Sequence, residues 1–169
     1  FKNPASRFSF QKRATYQNKN EVDNPPLVDI LSFCLMPNHF HLLLRQLEDQ
    51  GISKFLSKTS NSYTKYFNSR YKRGGALFKG AFIAREVKNE ELGNVSRHIH
   101  LEPYLKGIVL TLSRFPYSSY PEYLGEKEGF CQKNYIMNIF KDSPTYEKFS
   151  VNIDDYKSSI RGKSKSYLP

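Results

Sequence analysis

The run Ile30-Leu31-Ser32-Phe33-Cys34-Leu35-Met36-Pro37-Asn38-His39-Phe40-His41-Leu42-Leu43-Leu44 constrains the fold more than any other part of the chain. A segment this apolar has to be buried, and its length between turn-forming residues reads as strand. Leu27 to Met36 and His39 to Gln46 are the two strand candidates. The step Met36-Pro37-Asn38 between them is too short for a parallel crossover and too direct for a wide hairpin, so a kink within one long strand is expected. Alternate residues of a strand share a face, so His39 and His41 project together while Phe40, Leu42 and Leu44 enter the opposite layer. Imidazoles are costly to bury without partners. The pair therefore reads as half of a metal site, with two backbone-satisfied polar residues at a strand end as the alternative.

From Gly51 the pattern changes to a helical period. Ile52, Phe55, Leu56, Thr59, Tyr63, Tyr66 and Phe67 form an apolar stripe, and Lys54, Lys58, Asn61, Lys65, Asn68 and Lys72 recur on the other side. Arg70, Lys72 and Arg73 bring cations to the end of this helix, with Gly74-Gly75 beyond it. Lys and Arg number 26 against 16 Asp and Glu, a formal charge of +10, and aromatic residues make up 15%. Such a field favours a polyanion, and aromatic rings give unpaired bases a surface to stack on. Nucleic acid is thus the expected partner, with Lys54, Lys58, Lys65, Arg70, Lys72, Arg73 and Lys79 as candidate phosphate contacts; the alternative is an ordinary solvated face. Phosphate contacts do not distinguish DNA from RNA. Cys34 and Cys131 lie far apart without paired spacing, which argues against a disulfide framework and against structural zinc. No apolar stretch is long enough to span a bilayer and no leader-like segment opens the chain, so a cytoplasmic protein without membrane attachment is expected.

The composition divides the chain into a polar arm over 1–26, one compact domain over 27–160 and a basic tail over 161–169. Within the domain, Leu77 to Val87 reads as a strand, and a second helix runs from Asn89 to Glu102, halted by Pro103. Tyr117-Ser118-Ser119-Tyr120-Pro121 is loop-like, and Asn134 to Phe140 and Thr145 to Ile160 are helix candidates. On the second helix His98 and Glu102 are four apart and share a face; His100 points elsewhere, to a structural or phosphate-facing role. If this helix packs across the strand with His39 and His41, Glu102 supplies an oxygen ligand and His98 stands beside the metal. Two imidazoles and a carboxylate with open positions suit a divalent ion that binds a phosphate oxygen. A surface carboxylate and a solvated histidine are the alternatives.

Five stretches then resemble, in order and spacing, the single-tyrosine HUH transposases, most closely the REP-associated tyrosine transposases. They are Met36-Pro37-Asn38-His39-Phe40-His41-Leu42-Leu43-Leu44, Tyr63-Thr64-Lys65-Tyr66-Phe67-Asn68, Gly75-Ala76-Leu77-Phe78-Lys79-Gly80, His98-Ile99-His100-Leu101-Glu102-Pro103 and Tyr117-Ser118-Ser119-Tyr120. The resemblance implies an α+β, ferredoxin-like HUH domain, a central antiparallel sheet with helices packed on it. It implies a divalent metal, Mg2+ or Mn2+, at His39, His41 and Glu102, and a single-stranded or hairpin DNA substrate. In such proteins a tyrosine attacks a DNA phosphate, leaving a 5′-phosphotyrosine and a free 3′-hydroxyl, and reversal of the step rejoins strands, which is DNA transposition without ATP. Monomers and domain-exchanged homodimers both occur, and relatives begin with a strand and helix in place of the polar arm.

This chain departs from that pattern at the reacting group: the nucleophile position is His98, and the following ligand position, usually an amide, is Glu102. Three roles for His98 follow. It attacks phosphate itself, it serves as general base for water in a metal-dependent nuclease, or catalysis is lost and the chain is a DNA-hairpin-binding module. Tyr63 and Tyr66 are substitute nucleophiles, although their place on the apolar stripe favours packing.

Overall fold

A computed structural model of the chain describes residues 25–160; nearly all of the polar arm and all of the basic tail lie outside them. The apolar run forms β1 (Val28–Leu35) and β2 (Phe40–Gln46), paired antiparallel with Leu35 opposite Phe40 and Cys34 opposite His41. The step between them is a tight hairpin, not the expected kink, because the Met36 N–H donates to the His39 carbonyl at 2.8 Å and folds the chain back. Residues facing each other across an antiparallel pair point to one side. Ser32, Cys34, Met36 and Leu43 are buried on the side that also carries His39 and His41. A register shift between Ile30 and Ser32 leaves Leu31 unpaired in the ladder, and its carbonyl accepts from the Tyr123 hydroxyl at 2.7 Å.

Helix α1 (Gly51–Tyr71) follows after a short turn. Gly51 is required there because a β-carbon would run into the Leu27 carbonyl. At the other end the left-handed capping residue is Lys72, ahead of the glycines, and the Arg73 N–H closes on the Asn68 carbonyl at 3.0 Å. The predicted strand over Leu77 to Val87 does not form: its side chains are almost all exposed, and no neighbouring strand among the described residues takes its backbone groups. Alternation of side chains made it look like a strand, yet a strand needs an edge to pair with.

A short 3-10 turn, Asn89–Glu91, leads into α2 (Leu92–Leu105), which continues through Pro103 instead of stopping at it. Near a helix end the proline removes only one ladder bond. The last turn closes with the Lys106 N–H on the Glu102 carbonyl at 3.0 Å, and Gly107 at φ 67° turns the chain away. Ten of the fourteen residues of α2 are buried, so it is the central helix, with the hairpin on one side and later helices on the other.

After a second 3-10 turn, Leu112–Arg114, four more α-helices follow among the described residues: α3 (Tyr120–Tyr123), α4 (Asn134–Met137), α5 (Ser143–Val151) and α6 (Ile153–Ile160). The segment over 117–121 is therefore not simply a loop. Leu35 N–H donates to the Tyr117 carbonyl at 2.8 Å and Ser119 N–H to the Phe33 carbonyl at 3.0 Å, so it lies along the free edge of β1 before turning into α3. Asn152 divides the expected single C-terminal helix in two, with α5 capped by the Asp142 carboxylate on the Thr145 N–H at 2.8 Å. The architecture is α+β, an antiparallel sheet packed with helices. Its core is unusually rich in tyrosine, with Tyr120, Tyr123, Tyr146 and Tyr156 all buried beside Ile99 and Leu101.

Candidate metal centre

β2 and α2 meet at the hairpin end of the sheet. His41 comes from β2, His39 from the residue just before it, and His98 and Glu102 from the helix, where α2 brings the latter two together because four residues make one turn. Glu102 is 4% exposed, and each of its oxygens faces an imidazole. Oε1 lies 3.6 Å from His39 Nε2, and Oε2 lies 4.0 Å from His98 Nε2. The exposed Lys106 ammonium is a third group facing the carboxylate, 3.8 Å from Oε1. Ligand atoms of His39, His41 and Glu102 all lie within 4.8 Å of one another, a spacing at which all three could hold one cation. Burial keeps His41 neutral by lowering its pKa, against the opposing pull of the Glu102 charge. A neutral imidazole is the form that ligates metal.

The outer contacts of these imidazoles set their ring orientations. Asn38 Oδ1 lies 2.7 Å from His39 Nδ1 and accepts from it, which turns Nε2 toward Glu102. His98 is buried, not solvated as the simpler sequence reading has it, and its Nδ1 sits 2.6 Å from the Tyr156 hydroxyl on α6. Its ring also lies edge-on to His41, with centroids 6.0 Å apart. Neither Asn38 nor Tyr156 is singled out by sequence spacing. Asn38 sits next to the pair and could have been noticed; Tyr156 lies 58 residues from His98 and gives no local signal.

His100 belongs to a different environment. Its Nδ1 is 2.7 Å from the Tyr146 hydroxyl and its Nε2 is 2.7 Å from Ser119 Oγ. Ser96 Oγ lies 2.7 Å from the same Tyr146 hydroxyl, and Ser119 Oγ donates to the Phe33 carbonyl at 3.2 Å. The chain of donors is complete only with a neutral ring, and full burial accordingly pushes the His100 pKa down to about 3. Of the two expected roles, the structural one holds.

Tyr63 and Tyr66 are not packed, being 49% and 61% exposed on the outer half of α1. The Tyr63 ring rests on Phe78, which in turn meets Phe40 edge-on. Phe40 points to the face of β2 opposite His39 and His41, so this aromatic chain leads away from the imidazoles. Lys54, Lys58, Lys65, Arg70, Lys72, Arg73 and Lys79 are all exposed, six of them on or just after α1. Cys34 and Cys131 are both free thiols, and burial pushes the Cys34 pKa up to about 12. No helix among the described residues is long and apolar enough to cross a membrane.

A family model described as Transposase IS200 like matches residues 12–102, more than half of the 169. Comparison with curated proteins and with solved structures found no match. The matched span contains His39, His41, His98 and Glu102, whereas Tyr156 lies beyond it.

Proposed function

Because this chain belongs to the IS200-like transposase family, we propose that it binds single-stranded or hairpin DNA over a divalent metal held by His39, His41 and Glu102, without the family's tyrosyl strand transfer. The observation that carries this reading is the imidazole at position 98, anchored through Nδ1 to Tyr156. A phosphotyrosine cannot form there, and the exposed Tyr63 and Tyr66 belong to an aromatic cluster that reaches Phe40 on the face opposite His39 and His41. When bound, such a metal polarises a phosphate oxygen and neutralises its charge. The chain's own residues do the rest. Glu102 and the imidazoles fix the cation, and the exposed cations of α1 with Lys79 grip the flanking phosphates. Tyr66 and Tyr71, both exposed, offer stacking faces to unpaired bases.

A second reading is favoured by the approach of His98 Nε2 to Glu102 Oε2 at 4.0 Å: His98 acts as general base for water, and the protein nicks DNA by hydrolysis. One experiment separates the two. Labelled hairpin DNA is incubated with the full chain and Mg2+, Mn2+ or Zn2+, with and without chelator, then run on native and denaturing gels. We expect a retarded complex that chelator weakens, with intact DNA and no protein adduct. Nicked DNA without adduct supports the hydrolytic reading, and a covalent adduct overturns both.

A further inference from the structure

We propose that His98 is itself a metal ligand, making the centre a set of three imidazoles and one carboxylate from His39, His41, His98 and Glu102. This deepens the proposed function and rests on its reading of the site as a metal centre.

The argument is the parallel between His39 and His98. Each directs Nε2 at one oxygen of the same buried carboxylate, His39 at Oε1 over 3.6 Å and His98 at Oε2 over 4.0 Å. Each has Nδ1 held on the outer side by an oxygen, Asn38 Oδ1 at 2.7 Å for His39 and the Tyr156 hydroxyl at 2.6 Å for His98. Metal-binding histidines are built this way: the ring nitrogen that does not ligate donates to a fixed outer partner, which sets the tautomer and aims the other nitrogen. His41 lies between them, its ring centroid 5.1 Å from His39 and 6.0 Å from His98. A side chain meant to attack phosphate would need room on its reactive side, yet His98 is 5% exposed and faces the carboxylate.

The donor set has a chemical consequence. Three imidazole nitrogens and a carboxylate oxygen suit Zn2+ or Co2+, four-coordinate in the DNA-free chain and expanding to five to take a phosphate oxygen, whereas Mg2+ takes oxygen ligands and keeps its water. Residue 98 would then be occupied as a ligand and withdrawn from acid-base or nucleophilic work. Tyr156 is a positioning residue in this scheme, acting through the His98 ring.

The test uses the full chain stripped of metal by chelator. Zn2+ affinity is measured by equilibrium dialysis with Mg2+ as competitor, Co2+ coordination by visible absorption, and the number of imidazoles around Zn2+ by X-ray absorption fine structure. We expect one Zn2+ per chain with three imidazoles, an intense tetrahedral Co2+ spectrum and no displacement by excess Mg2+. His98→Gln should weaken Zn2+ binding by at least about tenfold, and Tyr156→Phe by about tenfold. Two imidazoles around Zn2+, or unchanged affinity in a folded His98→Gln, overturns the assignment of His98 while leaving the three-residue site intact. Absence of any metal binding by the unaltered chain overturns the metal reading as well. Should His98→Gln fail to fold, the imidazole count on the unaltered protein decides.

Discussion

A guanidinium with 1% of its side-chain surface exposed needs partners inside the protein, and Arg97 finds them at both terminal nitrogens, though not at Nε. Nη1 reaches the Asp155 carboxylate at 2.5 Å and the Phe149 carbonyl at 3.3 Å; Nη2 reaches Asn94 Oδ1 at 2.9 Å and Ser159 Oγ at 3.0 Å. The plane lies over the Phe149 ring at 3.9 Å. Asp155 is the one opposite charge in this set, so removing it strands a buried cation. Asp155→Ala should cost about 3 kcal/mol of stability, while Asp154→Ala, an exposed neighbour acting only through the helix dipole, should cost about 0.5 kcal/mol. Urea denaturation of the two variants checks this, and equal losses would show that the ion pair carries no weight. None of it is legible in the sequence. Arg97 and Asp155 are 58 residues apart, and an Arg beside the reactive position reads as a DNA contact as readily as a core anchor. His39, His41 and Glu102 were readable because each belongs to a local repeat, alternation on a strand or one turn of a helix.

Elements differ in how firmly they are held, and α1 shows it along its own length. Its buried residues, Gly51 and Leu56, both fall in the first two turns. Beyond them the helix stands on its hydrogen bonds and on the Tyr63, Phe67 and Phe78 ring contacts. Amides over 61–71 should therefore exchange at least about tenfold faster than those over 51–58, measured by hydrogen exchange with peptide mass spectrometry; uniform protection would mean that another surface covers the outer half. The helix itself was visible in the sequence because its apolar period is long and regular. The stripe promised more packing than the fold delivers, since periodicity marks which face is apolar and not whether anything lies against it. The hairpin turn and the stretch over 77–87 failed for a related reason: both depend on what the backbone meets.

Across the whole molecule, polar aromatic groups do much of the work that aliphatic side chains usually do. Burial pushes the pKa values of Tyr120, Tyr123 and Tyr146 well above the ordinary phenol value near 10. Such groups stay protonated in the folded chain at pH values where the unfolded chain has lost the same protons. The unfolded state then binds fewer protons, and stability falls as pH rises above about 10, at up to about 1.4 kcal/mol per pH unit for each tyrosine. Absorbance at the phenolate band should rise early for the exposed tyrosines and cooperatively for these three, together with loss of the circular dichroism signal. Gradual titration of all 12 tyrosines without unfolding would contradict their burial. The link between α2 and α6 bears on fragments. The family match ends at residue 102, yet the partners of Arg97 and His98 on α6 are Asp155, Tyr156 and Ser159. A piece cut at the family boundary would keep His39, His41, His98 and Glu102 and lose the Tyr156 hydroxyl that orients the His98 ring, so the smallest autonomous unit extends to the end of α6.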